Sequence, residues 1–181
     1  MSLALIREHA DVKEEFDRLS KIRHEQFISS VANMIAEIKS FAASYMKAND
    51  FLVTDHPEGK TITGTYKDVK ISLKYPEVEE RSPDAHSVFE VSHNHKSLTV
   101  GASLTTAGES VSGGFISYSS KEDRLRKEID SFKARIERLK SLGLQDISGS
   151  YSLCLIEKRN GIVAYKRHTQ SIVDVIDEII K

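Results

Sequence analysis

The first 56 residues of the chain contain neither glycine nor proline, and this constrains the fold more than any other feature. The first proline is Pro57 and the first glycine is Gly59. Over this stretch apolar side chains recur every ~3.67 residues when Arg23 is counted as one position, which is a helical period. We therefore predict one α-helix from Leu5 to Ala48. Its apolar stripe consists of Val12, Phe16, Leu19, Phe27, Val31, Met34, Ile38, Phe41 and Tyr45.

The remainder of the chain has the patterns of strands and shorter helices. Short segments rich in β-branched and aromatic residues follow one another between residues 51 and 119, separated by turn-forming residues such as Lys67-Asp68. A second amphipathic helix is predicted from Lys121 to Leu142. It is followed by a hairpin around Asn160-Gly161 and a closing helix from Ser171 to Ile180.

These elements predict an α+β fold. It consists of a long N-terminal α-helix, a predominantly antiparallel β-sheet of about six to eight strands, a central amphipathic helix, and a C-terminal β-hairpin with a short helix. We expect residues 1–50 to form the long helix and residues 51–181 to form an α+β body. Together they make a single structural domain with a helical appendage.

The predicted first helix is longer than a compact domain of this size is wide. About 44 residues make roughly 66 Å of helix, whereas a compact domain of this chain length is ~40 Å across. The second helix can cover only half of the first. We expect the C-terminal half, which is richer in large apolar residues, to be covered within the chain. The N-terminal half is then predicted to be the association surface of a homo-oligomer, with a dimer favoured. This surface consists of Leu5, Val12, Phe16 and Leu19.

An alternative to self-association is a kink in the first helix near Ser20 or Ser29-Ser30. The N-terminal half would then fold back and pack on the sheet of its own chain.

His93 and His95 are the candidate metal ligands. On one strand their spacing of two would place both imidazoles on the same face, where they could bind Zn²⁺ or a similar metal. The segment also lies where the strand pattern requires a turn, and Asn94 tolerates a left-handed backbone. We favour the turn, and a metal-binding protein or metal-dependent enzyme centred on the two histidines is the alternative.

The candidate polyanion-binding residues are Lys158, Arg159, Lys166 and Arg167 in the C-terminal hairpin, next to a second helix that is rich in basic residues. The formal net charge of the chain is −1, so no global field attracts nucleic acid. We therefore expect these residues to be a solvated charged surface, and a nucleic-acid partner is the second alternative.

The sequence offers no pattern that is diagnostic of catalysis. Ser44 and Lys47 fit S-x-x-K without the further motifs of β-lactamase-type enzymes. The glycine-rich stretch 108–114 lacks the Gly-Lys-Ser/Thr ending of a P-loop. We therefore predict no cofactor, and we predict a non-enzymatic, soluble binding or adaptor protein.

The expected location is the cytoplasm, without membrane contact. Cys154 is the single cysteine, so no intramolecular disulfide can form. No apolar run approaches the ~20 residues that span a bilayer. Arg7, Glu8 and Asp11 stand where a secretory leader would be apolar.

Overall fold

A computed structural model describes residues 2–79, 85–106, 120–141, 147–159 and 162–181 of the chain. The first helix, α1, spans Leu3–Ala48 without interruption and begins two residues earlier than predicted. Its C-terminal end is a Schellman motif. Asp50 has a left-handed backbone (φ 63°), and the amides of Asp50 and Phe51 donate to the carbonyls of Lys47 (3.1 Å) and Met46 (3.0 Å).

Seven strands form one antiparallel sheet, in which each strand neighbours the next in the chain. The strands are β1 Leu52–His56, β2 Thr61–Tyr66, β3 Val69–Lys74, β4 Ser87–His93, β5 Lys96–Thr106, β6 Ile147–Arg159 and β7 Ile162–Thr169. A 3₁₀ turn, Pro57–Gly59, connects β1 and β2, and the other helices are α2 Lys121–Ser141 and α3 Ile172–Ile180. The predicted α+β fold is confirmed.

The predicted turns also connect strands of the structure. Lys67 (φ 53°) begins the β2–β3 turn, and Asn94 (φ 52°) begins the β4–β5 turn. The C-terminal hairpin belongs to the main sheet, with Arg159 paired to Ile162, while its turn at 160–161 lies outside the described residues. None of the described helices is long and apolar enough to cross a membrane.

The chain divides into two compact units, and the boundary falls inside α1. One unit comprises Met1–Phe27 and Thr106–Ser148, and the other comprises Ile28–Thr105 and Gly149–Lys181. We call them the helical unit and the sheet unit. From the sequence we expected the chain to divide at residue 50, between the long helix and the α+β body, and this division stays a prediction.

The core of the sheet unit lies on one face of the sheet, under the second half of α1 and under α3. Tyr45 on α1 donates a hydrogen bond to the Asp177 carboxylate on α3. The absence of a side chain at Gly64 on β2 lets Met46 of α1 approach the sheet closely. The fully buried residues of this core include Val31, Met34, Ile38, Met46, Ile71, Leu73, Phe89, Val91, Val100, Val175 and Ile176.

One residue of the predicted apolar stripe points away from this core. Phe41 is 52% exposed, and the neighbouring Ala42 is fully buried in its place. The assignment of Phe41 to the buried stripe was therefore wrong. The helix turns about 100° per residue, so the side facing the sheet passes through Ile38, Ala42 and Met46.

The opposite face of the sheet is polar only in part, because Ala85, Cys154 and Ile156 cover it around Gly101 on β5. One row of residues paired side by side across β1 to β5 carries only hydroxyl side chains. The row consists of Thr54, Thr63, Ser72, Ser92 and Ser97.

The helical unit is a pair of parallel helices, the first part of α1 and α2. Glu8 binds Lys133 (2.6 Å) and Glu15 binds Lys140 (2.8 Å), so the partners advance by seven residues on both helices. Ion pairs at this interval flank the apolar seam of a parallel two-stranded coiled coil. On α2 the seam consists of Leu125, Ile129, Phe132, Ile136 and Leu139.

Candidate functional site

A groove of about 670 Å³ lies in the sheet unit between α1 and the edge strand β1, and we call it the β1 groove. Helix α1 and β1 are consecutive and run in opposite directions, because the Schellman motif reverses the chain between them. The helix contributes small side chains at spacings of four and three residues, which leave room above the strand. These are Ala32, Ala36, Ser40 and Ala43, and further lining residues are Ile35, Lys39, Lys47, Val53, Asp55, Pro57, Lys60, Ile62, Tyr75, Pro76, Glu77 and Val78.

A cluster of three polar side chains lies in the middle of the groove. The Lys39 Nζ is 3.5 Å from Asp55 Oδ2 and 3.9 Å from the centre of the Tyr75 ring. The Tyr75 hydroxyl donates a hydrogen bond to Asp55 Oδ1 at 3.3 Å. The Lys39 side chain is only 25% exposed. Its ammonium group is held in place by the Asp55 carboxylate on one side and by the face of the Tyr75 ring on the other.

A second ion pair lies beside the 3₁₀ turn. The Lys60 Nζ is 2.6 Å from Glu77 Oε1. Lys60 has a left-handed backbone (φ 49°). Its amide donates to the Pro57 carbonyl (3.0 Å), and its carbonyl accepts from the Tyr75 amide (2.9 Å). These backbone bonds fix the loops that carry both members of the pair.

The polar groups of the lining are lysine, carboxylate and hydroxyl side chains. The described lining holds no histidine or cysteine, and Ser40 and Tyr75 are its two hydroxyl residues. Tyr75 is engaged with Asp55, and no described lining residue forms a nucleophile–base pair. The groove therefore combines apolar lining side chains with charged groups whose positions are fixed by their contacts with one another.

The residues predicted to form the association surface lie in the helical unit. Leu5 and Leu19 are buried, at 8% and 7% exposure, and Val12 and Phe16 are half-buried. The Phe16 ring lies 5.2 Å from the ring of Phe132 on α2.

The expectation that this half of α1 is uncovered within a single chain was therefore wrong. Helix α2 pairs with the first half of α1, whereas the second half of α1 belongs to the core of the sheet unit. Association between chains stays a prediction.

His93 and His95 lie at the end of the β4–β5 hairpin. His93 pairs with Lys96, so Asn94 and His95 form the turn, and the turn interpretation is confirmed. The His93 ring donates through Nδ1 to the Lys70 carbonyl (2.9 Å). It accepts from the Asn94 amide at Nε2 (2.9 Å).

A metal at this turn would have to displace the partners of the His93 ring nitrogens. Among the described residues, no group of three or more His, Cys, Asp or Glu side chains is placed to hold a metal ion. Metal binding at His93 and His95 remains an alternative without structural support.

The basic residues predicted to bind a polyanion are only partly described. Arg167 forms an ion pair with Glu178 on α3. The side chains of Lys158, Arg159 and Lys166 lie outside the described residues.

At least five of the eight basic side chains of α2 have acidic partners. In addition to the two interhelical pairs, Arg124, Arg126 and Lys127 bind carboxylates one turn away on the same helix. Most of the positive charges of this helix are therefore paired with carboxylates, which weakens the polyanion alternative.

Sequence reasoning did not find the β1 groove. Its walls come from four separate chain segments, and the only local signal is the run of small residues Ala32, Ala36, Ser40 and Ala43 on one side of a helix. Comparisons with protein-family models, with curated proteins and with solved structures give no match.

Proposed function

We propose that this chain is a non-enzymatic, cytoplasmic binding or adaptor protein that holds its ligand in the β1 groove and acts as a homo-oligomer through its helical unit. The observation that carries the binding function is the groove itself. Its volume of about 670 Å³ lies in the range typical of ligand sites.

The charged groups at the walls of the groove support this function. Lys39, Asp55 and Tyr75 hold one another in place, as do Lys60 and Glu77. A ligand that meets side chains already oriented loses less conformational entropy on binding, so such a site favours recognition.

The experiment that tests the binding function compares a filled groove with an open one. Ala43→Trp places an indole among the small lining residues, and Phe41→Trp places the same ring on the exposed side of the same helix. Each tagged full-length protein is used to capture partners from extract of the source organism, and the captured species are quantified by mass spectrometry.

We expect at least one species to be retained by the native chain and by Phe41→Trp and to be reduced tenfold or more by Ala43→Trp. Circular dichroism and thermal unfolding first establish that both variants fold as the native chain does. Equal capture by all three proteins would exclude the groove as the binding site. Stoichiometric bound metal in the purified chain would instead favour the metal alternative.

Self-association is supported by apolar surface that remains on the helical unit. Leu3 and Ile6 are 62% and 40% exposed, and Val12 and Phe16 are only half-buried. Two such helix pairs can bury these side chains in a four-helix arrangement, and we favour a symmetric dimer.

Light scattering after size exclusion tests the association. The native chain should have the mass of a dimer at ~50 μM, and Leu3→Glu combined with Ile6→Glu should lower it to a monomer mass without loss of helicity. A native chain that is monomeric over the whole concentration range would contradict this part of the proposal.

A further inference from the structure

Strand β1 is an edge of the seven-stranded sheet. It pairs with β2 on one side only, and no described strand lies on its other side. Leu52 is 72% exposed, and Thr54, Asp55 and His56 are exposed as well. An edge strand leaves the N–H and C=O groups of alternate residues unpaired, so it can accept a further strand.

The β1 groove lies alongside this edge and is elongated. Five residues of β1 extend over about 17 Å, and the lining residues of α1 from Ala32 to Lys47 extend over roughly 22 Å. A trough of this length suits an extended chain, whose every second side chain would point between the strand and the helix. The small side chains at Ala36 and Ala43 provide space for them.

The charge in the groove is uneven along its length. Lys39 and Lys60 are balanced by Asp55 and Glu77. Lys47 is exposed in the last turn of α1, and the structure gives it no ion-pair partner among the residues that it describes. Three lysines against two carboxylates leave one positive charge, at the end of the groove where β1 begins.

From these features we infer that the ligand of the β1 groove is an extended polypeptide segment that adds to the sheet as a strand beside β1, with small or medium apolar residues at alternate positions and an acidic group against Lys47. The inference rests on the proposed binding function and specifies its ligand. Main-chain hydrogen bonds to β1 would supply affinity, and the groove would select the alternate side chains.

Features of β1 itself limit the length of the added segment. The strand has only five residues, and Pro57 follows it directly. Proline offers no amide to a neighbouring strand, and short edge strands resist indefinite pairing. A segment of about five residues is therefore the expected ligand, rather than a growing sheet.

The probe for this inference is a display library of random twelve-residue peptides selected against the full chain. Dansyl-labelled synthetic peptides from the selection can be titrated by anisotropy, with the label excited at a wavelength that tryptophan does not absorb, so that the native chain and both Trp variants can be compared. We expect the selected sequences to alternate apolar and polar residues and to carry an aspartate or glutamate at one end. Ala43→Trp should weaken the binding of these peptides at least tenfold, and Phe41→Trp should leave it unchanged.

Backbone methylation distinguishes strand addition from other modes of binding. The amides of an added strand point alternately toward β1 and away from it. N-methyl groups on the set of amides that faces β1 should therefore abolish binding, whereas N-methyl groups on the other set should have little effect. Replacing the acidic residue by glutamine, or Lys47→Glu in the protein, should weaken binding by about twofold to fivefold, as expected for an exposed charge pair.

Peptides that tolerate methylation in both registers, or that lose binding equally in both, would overturn strand addition. A selected consensus that is basic would overturn the role of Lys47. If no peptide depends on the groove although natural partners still do in the capture experiment, the inference fails and the proposed function stands. If capture is also unaffected by Ala43→Trp, both fail.

Discussion

Replacing Gly101 by alanine adds one methyl group at a crowded point of β5. A Cβ atom there would lie 2.7 Å from Ile156 Cδ1, 2.9 Å from Ala85 Cβ and 3.2 Å from Cys154 Sγ, whereas carbon atoms normally approach to about 3.5–4.0 Å. Overpacking of this kind costs about 1–3 kcal/mol. Alanine regains about 0.5–1 kcal/mol over glycine in a strand because it restricts the unfolded chain. We therefore expect a net loss of about 0–2.5 kcal/mol, centred near 1 kcal/mol, in the free energy of unfolding.

Urea denaturation followed by circular dichroism measures this loss, and a double-mutant cycle with Ile156→Val tests its cause. Ile156→Val removes the nearest atom and alone costs about 0.5–1.5 kcal/mol. The double variant should be more stable than the sum of the single effects by more than ~0.5 kcal/mol. Gly59→Ala is the control, because its nearest neighbour is 4.0 Å away. Additive effects, or a Gly101→Ala variant more stable than the native chain, would refute the reasoning.

Three further substitutions have defined expectations. Ser87→Ala should raise the free energy of unfolding by about 1 kcal/mol in the same assay, because the Ser87 hydroxyl is buried without a hydrogen-bond partner among the described residues; a loss of stability would contradict this. The hydrogen bond to the Asp177 carboxylate raises the pKa of Tyr45 above its usual 10.0. The stability that this hydrogen bond contributes is therefore complete below pH 10, and it is lost as the pH rises through the pKa of Tyr45 in the folded state. Stability measured between pH 8 and 11 should therefore depend less on pH in Tyr45→Phe than in the native chain, and an unchanged slope would exclude this role. Ser171→Ala removes the side chain that accepts from the Asp174 amide at the start of α3, and thermal denaturation should show a loss of about 1 kcal/mol, whereas an unchanged midpoint would mean that the cap is dispensable.

The overall fold could be predicted because local signals agree with it. An N-terminal stretch without glycine or proline has few alternatives to a helix, and α1 extends over Leu3–Ala48 as one element. The β4–β5 turn was predictable because the alternation of apolar residues on both sides left only Asn94 and its neighbour to reverse the chain.

The partners of the two halves of α1 were not predictable from the mean spacing of its apolar residues. From Leu5 to Leu19 the buried positions follow the heptad that faces α2, whereas from Val31 to Met46 they follow the side that faces the sheet. One average period conceals this change, and Phe41 was assigned to the wrong side as a result. The number of large apolar residues in each half also does not reveal whether a helix or a sheet covers them.

The candidate site was the least predictable feature. The contact between Lys39 and Tyr75 joins residues that are 36 positions apart in the sequence, and it exists only after the helix and the sheet have packed. The histidines and the basic hairpin were conspicuous because their residue types are associated with known chemistry. The residues that line the groove are of types not associated with any particular chemistry. The groove is a candidate binding site because of its shape rather than its composition.

The heptad interval of the helical unit leaves some of its contacts compatible with a shifted register. Sliding α2 by seven residues in one direction brings Glu8 opposite Lys140, and sliding it in the other brings Glu15 opposite Lys133, so an acid–base pair survives either slip. His9 does not tolerate the change. In the observed register it contacts Glu128 at 3.0 Å, but a slip of one heptad in either direction would place it opposite Lys121 or Arg135. His9, together with Arg135 over the Phe16 ring, thus distinguishes the observed register from alignments that would keep one ion pair and the apolar repeat.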